Sequence, residues 1–406
     1  MFSDEIEPSK DFVKKIIKRD RKIFFKDYED SIASFDLDCP SDDEGSIYKK
    51  DTNESQGNIS SSIKNSESGE KQLIADFTEY NPFHKGHYHC MKLAKENVPN
   101  SIFVAIVPGL FERNGRGIPF IMTRQARAEA AIGAGADIVV EGPPMGILGS
   151  GQYSLCLAKM FQALNTDFIP RGYRPFDGFD IIIDRISRGH GVAPKPYKII
   201  DTDLGEVLFK GKLEEDNYLI TSLSKSLKRI GFDFKNKFLF VKRIEGVSGT
   251  LIREAARIGD FTSVKDMMLP QTIAILSKEI KEGRAPLDLS RDVDSILDSA
   301  NNLSYEELIS LNLMNEKIAK ELISTRENKN FENLEEIENS IPYGFSSHFK
   351  HRVLSVLETK INKDIIYDYI DNYPLNIRVL NYKNENVLGE FKEKINNINR
   401  RIELWQ

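Results

Sequence analysis

The sequence predicts an α/β protein with a Rossmann-like parallel sheet followed by a mainly helical C-terminal domain. Two observations carry that expectation. From residue 73 onward, short apolar runs alternate with helical stretches across short Gly- and Pro-bearing joints, the pattern of successive strand–helix units. After about residue 262 the texture changes to leucine-patterned, charge-laced segments such as SVKDMMLPQTIAILSKEIKEG and SYEELISLNLMNEKIAKELIS, which read as helices with polar joints.

Taken in order, LIADF (73–77) reads as the first strand and HKGHYHCMKLAKENV as the helix after it. SIFVAIVP (101–108) is a strand, TRQARAEAAIGAG (123–135) an Ala-rich helix and ADIVVEGP (136–143) a strand. YSLCLAKMFQALN is a helix, TDFIPRG (166–172) a strand and FLFVKRI (238–244) a late strand. The C-terminal stretch LNIRVLNYKNENVLGEFKEKINNINRRIELWQ reads as a strand, a turn and a final helix. Ahead of all this, residues 8–30 place Phe12, Ile16, Ile17, Ile23 and Phe24 at helical spacing among dense charge. Over 10–26 there are 8 Lys/Arg against 2 acids, a face suited to RNA, to a partner or simply to solvent. The acidic, Ser/Asn/Gly-rich segments that follow cannot bury enough surface to offset chain entropy and read as linker. The expected units are therefore an acidic, partly disordered extension (1–70), a nucleotide-binding catalytic domain (71–262) and a helical C-terminal domain (263–406) that is a candidate for RNA binding.

At 406 residues the chain can bury more than one core. No apolar run approaches the roughly 18 residues of a membrane helix, and the N-terminus lacks a secretion signal, so the expected address is cytoplasmic. Cys39, Cys90 and Cys156 are widely spaced and form no CxxC pair, which argues against a disulfide framework or a zinc cluster. The net charge of −6 arises almost wholly in the extension: residues 1–72 hold 12 Lys/Arg against 17 Asp/Glu. A nearly neutral body leaves room for a local basic face.

NPFHKGHYH (81–89) concentrates three of the six histidines. Zinc ligation is one reading, but no other Cys or His offers an obvious partner group. Phosphate binding suits the spacing better. Directly after a strand and opening a helix, Gly86 permits close backbone approach, the helix N-terminus favours anions, and His84 and His87, one turn apart, can donate to phosphate oxygens. Such a site stabilises charge on an α-phosphate during in-line attack by an oxygen nucleophile, with pyrophosphate leaving. Downstream, VSGTLIREA (247–255) offers Ser248, Gly249 and Thr250 at a helix start and Arg253 one turn in, a fixed fork for β- and γ-phosphates. An ordinary helix cap is the plainer reading of its SGT. There is no GxxxxGK[ST] and no GxGxxG. Arg113, Arg116 and Arg124 around RNGRG form a candidate positive patch.

HKGH and SGTLIR together resemble the signatures of the nucleotidylyltransferase superfamily, which also contains the class I aminoacyl-tRNA synthetases. Four longer stretches resemble the tRNA(Met) cytidine acetate ligases: TEYNPFHKGH, VPGLFERNGRG with RQARAEAAIGAGADIVVEGP, SGTLIR, and NIRVLNYKNENVLGEF. The resemblance implies a nucleotidylyltransferase-type sheet and an enzyme that converts acetate and ATP to acetyl-adenylate, then acetylates N4 of the wobble cytidine of elongator tRNA(Met). It implies ATP contacts along Phe77 to Cys90, taking in Glu79, Asn81, Pro82, Phe83 and Gly86, with Gly172 and Arg253 beyond. Mg²⁺ is expected with the triphosphate. The departures are the extension itself, a loose Asn217 in place of a family Asn, and a poorly matching stretch at 173–207. A small-molecule nucleotidylyltransferase and a catalytically silent RNA-binding protein are the rival readings. Asp76, His89, His348, His351 and Arg378 receive no firm role at this stage.

Overall fold

The computed structural model describes residues 8–35, 71–195, 197–211, 214–395 and 401–405. The linker expected at 36–70 and Cys39 lie outside the described residues. Helix α1 (Lys10–Phe35) comes first, then β1 (Gln72–Phe77), α2 (Lys85–Asn97), β2 (Ser101–Pro108), α3 (Arg124–Ala134), β3 (Ile138–Gly142), α4 (Ser150–Ala163) and β4 (Ile169–Tyr173). Next come α5 (Phe179–Ser187), the short β5 (Val192–Lys195), β6 (Lys198–Asp201) and β7 (Val207–Lys210), α6 (Glu215–Arg229), β8 (Phe238–Lys242) and α7 (Gly249–Ile258). The helical part runs through α8 (Pro270–Lys281), α9 (Val293–Asn302), α10 (Tyr305–Ser310), α11 (Glu316–Asn328), α12 (Leu334–Ser340), α13 (Ser347–Thr359) and α14 (Lys363–Asn372). It closes on β9 (Asn376–Tyr382), α15 (Glu385–Ile395) and β10 (Arg401–Leu404).

β1, β2 and β3 pair in parallel in that order, and β4 pairs in parallel with β8. A parallel bridge from Ile74 to Phe168 joins the two groups, with Ala75 N donating to Phe168 O at 2.9 Å. The strand order is thus β3-β2-β1-β4-β8, and the chain reverses its direction of growth between β1 and β4. Nearly every residue of β1, β2 and β3 is buried, as expected when helices cover both faces of a parallel sheet. A crevice at the carboxyl ends of the strands opens at such a reversal.

Two parts of the fold depart from the expectation. The C-terminal β9 pairs antiparallel with β3, and β10 pairs in parallel with β9, so both belong to the main sheet. The chain's last described element is therefore a strand where the sequence pattern suggested a helix. In the middle, β5, β6 and β7 form a small antiparallel sheet within the poorly matching region. Strands of only four residues, one of them holding Pro194, carry too little alternation to be read from sequence.

Helix α1 docks on this body. Val13, Ile16, Ile17 and Phe24 are buried along one face, and Asp20 in their midst is fully buried. Asp20 accepts both terminal nitrogens of Arg124 at 2.9 Å and the amide of Phe111 at 2.8 Å. Arg124, itself fully buried, lies 2.9 Å from Glu141 on β3 and 3.4 Å from Glu112, while Trp405 stacks beneath it at 4.5 Å. Arg127 bonds Glu112 at 2.9 Å and the carbonyls of Pro108 and Glu79 at 2.7 and 3.0 Å. Next to this cluster, Arg378 on β9 joins Glu141, Asp27 of α1 and Glu403 of β10. Arg378 is therefore a buried-pair residue.

The helical part grips the sheet through a second buried cluster. Glu358 of α13 receives Arg113 Nε at 3.0 Å and Nη2 at 2.6 Å, Arg291 at 3.3 Å and the amide of Asp292 at 2.8 Å. Gly117, with φ of 76°, sits so close to α13 that an added Cβ would meet Arg352 N at 2.4 Å. Only glycine fits there, so the β2–α3 loop is locked in place. The positive patch expected around RNGRG is accordingly corrected: Arg113 and Arg124 are buried and paired, and only Arg116 is exposed.

Asp20→Ala removes a bidentate partner from a buried guanidinium. The expected loss is about 3 kcal/mol of unfolding free energy, read as a lower urea midpoint at unchanged m-value. An unshifted midpoint would show that α1 contributes nothing to the stability of the body.

Candidate functional site

β1 delivers the chain to a tight turn at the sheet's carboxyl edge, Thr78 to His84, where Tyr80 adopts φ of 46° and is fully buried. His84 caps α2: its Nδ1 accepts from the amides of Gly86 and His87 at 3.1 and 3.4 Å. His87 returns the bond, its Nδ1 accepting from the amide of His84 at 3.3 Å. The two rings stack with centroids 3.6 Å apart and planes 11° from parallel. Because both Nδ1 atoms accept, both Nε2 atoms carry the proton and stay available as donors. Gly86 is required by the same geometry, since a Cβ there would lie 3.0 Å from His84 Cε1. Tyr80 and Phe83 pack behind His87 at 5.2 and 5.6 Å and fix its ring.

The downstream motif arrives at the same place. An ideal Cβ at Gly249, the first residue of α7, would stand 3.9 Å from His84 Nε2 and 3.2 Å from Arg253 Nη1, so the two motifs adjoin. Arg253 is held by Asn81 O at 3.0 Å and Thr250 Oγ1 at 3.1 Å. Asn81 Oδ1 in turn accepts from the amide of Ile121 at 2.7 Å. Ser248 caps α7, its hydroxyl oxygen accepting from Leu251 N at 3.4 Å.

Two further arginines complete the cationic surroundings. Arg171 in the middle of β4 donates to Phe77 O at 2.6 Å and lies 3.4 Å from Asp76. Arg243, just past β8, pairs with Asp216 at 2.6 Å. The sequence reading missed both, although Arg243 stands just past the carboxyl end of a strand, where ligands gather. Burial lowers the His84 pKa to about 4, with Arg243 and Arg253 adding to the effect. Burial also pushes His87 well below its ordinary value, aided by His84, Arg243 and Arg171. Both imidazoles are neutral at pH 7 and act as oriented donors, while the arginines supply the charge. Burial lowers Arg253 as well, with Arg116 the next cause.

The remaining expected residues sort by what they expose. Phe77, Pro82, Phe83 and Cys90 are buried, so only their backbone is positioned to meet a ligand. Burial raises the Cys90 thiol to about 12, which removes it as a nucleophile. Gly172 lies beside Arg243, where a Cβ would be 3.7 Å from its Cγ. Glu79 Oε1 accepts from Gly115 N at 3.0 Å and ties the site turn to the β2–α3 loop. Burial raises Asp76, which bonds Thr78 at 3.0 Å. Asn217 bonds both backbone groups of Arg174, at 3.0 and 2.7 Å, and so secures the chain after β4. His351 lies 3.5 Å from Glu338, away from this cluster. Among the described residues, only His190, Asp201 and Asp203 group closely enough to hold a metal, and they stand on the small sheet. Asp201 already accepts from His190 and from the amides of Asp203 and Leu204.

Gly86→Ala should push the His84 ring out of register and lower nucleotide turnover by about 10²-fold, with little change in thermal stability; unaltered turnover would refute the fixed-imidazole geometry. For pH, the sign follows from the lowered value. The unfolded His84 titrates near 6.5 and the folded one near 4, so its stabilising contribution is complete above about 6.5 and is lost as the pH falls toward 4. Urea midpoints measured between pH 7.5 and 4 should fall more for the wild type than for His84→Gln.

Residues 72–158 match the model of the HIGH Nucleotidyl Transferase family, and residues 174–381 match the Cytidyltransferase-related C-terminal region. An uncharacterized protein of Methanocaldococcus jannaschii is 47% identical over 325 residues, spanning 79% of this chain and 88% of that protein. A tRNA(Met) cytidine acetate ligase of Caldanaerobacter subterraneus is 26% identical, covering 80% of this chain and 86% of the relative. The corresponding ligase of Thermotoga petrophila is 24% identical, covering 78% and 83%. In structure, Thermotoga maritima TmcAL bound with alpha-thio ATP superposes with a TM-score of 0.68 at 20% identity, over 82% of this chain and 85% of that one. That likeness establishes the fold. With both motifs meeting at one crevice and both family models matched, the chain belongs to the HIGH nucleotidyltransferase family.

Proposed function

We propose that this protein activates acetate with ATP and transfers the acetyl group to N4 of the wobble cytidine of elongator tRNA(Met). The observation that carries the first half is the stacked, neutral His84–His87 pair, with His84 Nε2 beside the start of α7 and Arg253. An acetate oxygen attacks the α-phosphorus in line, and pyrophosphate leaves. His84 and His87 would donate to the phosphate oxygens as charge grows there without protonating them, because the lowered imidazolium pKa values leave both rings neutral at pH 7 and a neutral imidazole N–H is not readily given up. Arg253, with Ser248, Gly249 and Thr250 at the start of α7, would hold the departing β- and γ-phosphates. Phe77 to Cys90 would line the nucleotide through its backbone, with Gly172 allowing close approach. Mg²⁺ would enter with the triphosphate, coordinated by phosphate oxygens and water.

In the second half, the cytidine amine attacks the acetyl carbonyl, and AMP leaves with the mixed-anhydride oxygen while the amine gives up its proton. The base must leave its stack to reach the adenylate. The names of the bacterial relatives support acetate and tRNA(Met), and their coverage of more than three quarters of the chain supports carrying that chemistry over.

Incubation with ATP and labelled acetate, with and without total tRNA, should yield pyrophosphate, AMP and acetylated cytidine. Pyrophosphate release that ignores acetate and tRNA but responds to a phosphorylated metabolite would replace this reading with small-molecule nucleotidyl transfer; no turnover at all would favour a silent RNA-binding protein. Arg253→Ala should cut acetate-dependent pyrophosphate release by about 10²- to 10³-fold at an unchanged circular dichroism spectrum.

A further inference from the structure

The outward face of α1 is the feature that the catalytic site does not use. At 100° per residue, the buried positions 13, 16, 17, 20 and 24 and the half-buried Asp27 share one side of the helix. Lys15, Lys18, Lys22 and Lys26 fall within a narrow stripe on the opposite side, and all four are exposed. No ion pair engages them among the described residues, whereas Lys14 on the flank pairs with Asp294 at 2.8 Å. Arg21 adds another exposed cation, stacked on Phe25 at 5.5 Å. Like charges three and four residues apart on a helix repel by a few tenths of a kcal/mol per pair. The stripe therefore carries an unrelieved electrostatic cost in a chain whose net charge is −6.

Two facts separate this stripe from an ordinary solvated face. First, the helix is not free to move: Asp20 and Asp27 bolt it to Arg124 and Arg378 inside the body, so the lysines are held as a fixed row. From Lys15 to Lys26 that row is roughly 16 Å long, and the basic run from Lys10 about 24 Å. Second, the helix that carries the row starts close to the catalytic crevice. Val13 and Ile16 pack on Leu287, and the next residue, Asp288, pairs with Arg257 at 2.7 Å and lies close enough to Arg253 to affect its protonation.

We infer that the lysine stripe of α1 is a docking ridge for the phosphate backbone of a folded RNA, holding the acceptor's stem while its reactive base enters the crevice. The inference rests on the proposed RNA acceptor and adds to it a surface that the bacterial pattern lacks. A rigid row of evenly spaced cations suits a regular phosphate backbone and needs no base recognition, so the ridge contributes affinity and orientation while the crevice selects the base.

The test uses the full chain, fluorescein-labelled total tRNA and a KCl titration from 50 to 300 mM. Changing Lys15, Lys18, Lys22 and Lys26 together to Gln should flatten the slope of log affinity against log salt by about 3. Affinity at 100 mM KCl should fall by about 30-fold or more. A second variant, with the same four residues changed to Glu, should bind still more weakly. Both should keep the wild-type melting temperature and the wild-type acetate-dependent pyrophosphate release without tRNA. Unchanged affinity and slope in both variants would overturn the ridge. So would a wild type that ignores tRNA but binds phosphatidylserine vesicles, the other polyanion such a face could meet. If acetate fails to trigger pyrophosphate release while the lysine variants still lose tRNA, the ridge stands and the acetate reading alone falls.

Discussion

The structure hangs on a buried guanidinium. Arg124 has no contact with solvent, and a bare cation there would carry a prohibitive desolvation cost. It is tolerated because carboxylates converge on it from three separate places: Asp20 on α1, Glu112 in the β2–α3 loop and Glu141 on β3, with Trp405 beneath. Each of those groups is buried in turn, so none can leave without stranding another. The same logic extends through Glu141 to Arg378 and on to Asp27 and Glu403. Whether such clusters add net stability over an apolar core is doubtful on general grounds, but they set registration strictly. Here they register the N-terminal helix, the loop beside the site and the two C-terminal strands against one sheet.

That registration reaches the candidate site through Glu112 and Arg127. Arg127 donates to the carbonyls of Pro108 and Glu79, the latter within the turn that leads to His84. From the other side, Glu358 holds Arg113 and Arg291, and Gly117 lies against α13, so the β2–α3 loop is fixed from both ends. Glu79 bonds that loop at Gly115. The imidazole pair therefore sits on a turn whose position is set by two buried ionic clusters. Preorganised donors of this kind stabilise developing charge because no reorganisation is needed when the charge appears.

Charge is arranged differently in three places. Inside, acids and bases cancel in closed clusters; at the crevice, Arg171, Arg243 and Arg253 surround two neutral histidines; outside, α1 carries a row of lysines without ion pairs among the described residues. Burial, with the nearby arginines adding to it, makes protonated histidine unfavourable, which keeps the ring nitrogens in the tautomer that the helix cap selects.

The sequence by itself determined the parallel sheet, the helical texture of the C-terminal part and the family signatures HKGH and SGTLIR. Those features are local: hydrophobic periodicity, glycine where backbone must approach, and a donor pair one turn apart all lie within short windows. It also supplied the amphipathic pattern of α1. Only the tertiary structure decided the fate of Arg113, Arg124 and Arg378, which share one residue type but end in buried pairs, because their partners Glu358, Asp20 and Asp27 lie far away along the chain. For the same reason Arg171 and Arg243 joined the site without a motif to announce them, and β9 and β10 joined a sheet whose other strands were complete by residue 242. A pattern within one segment fixes what that segment becomes. Which charge meets which depends on contacts between distant segments, and no local pattern records them.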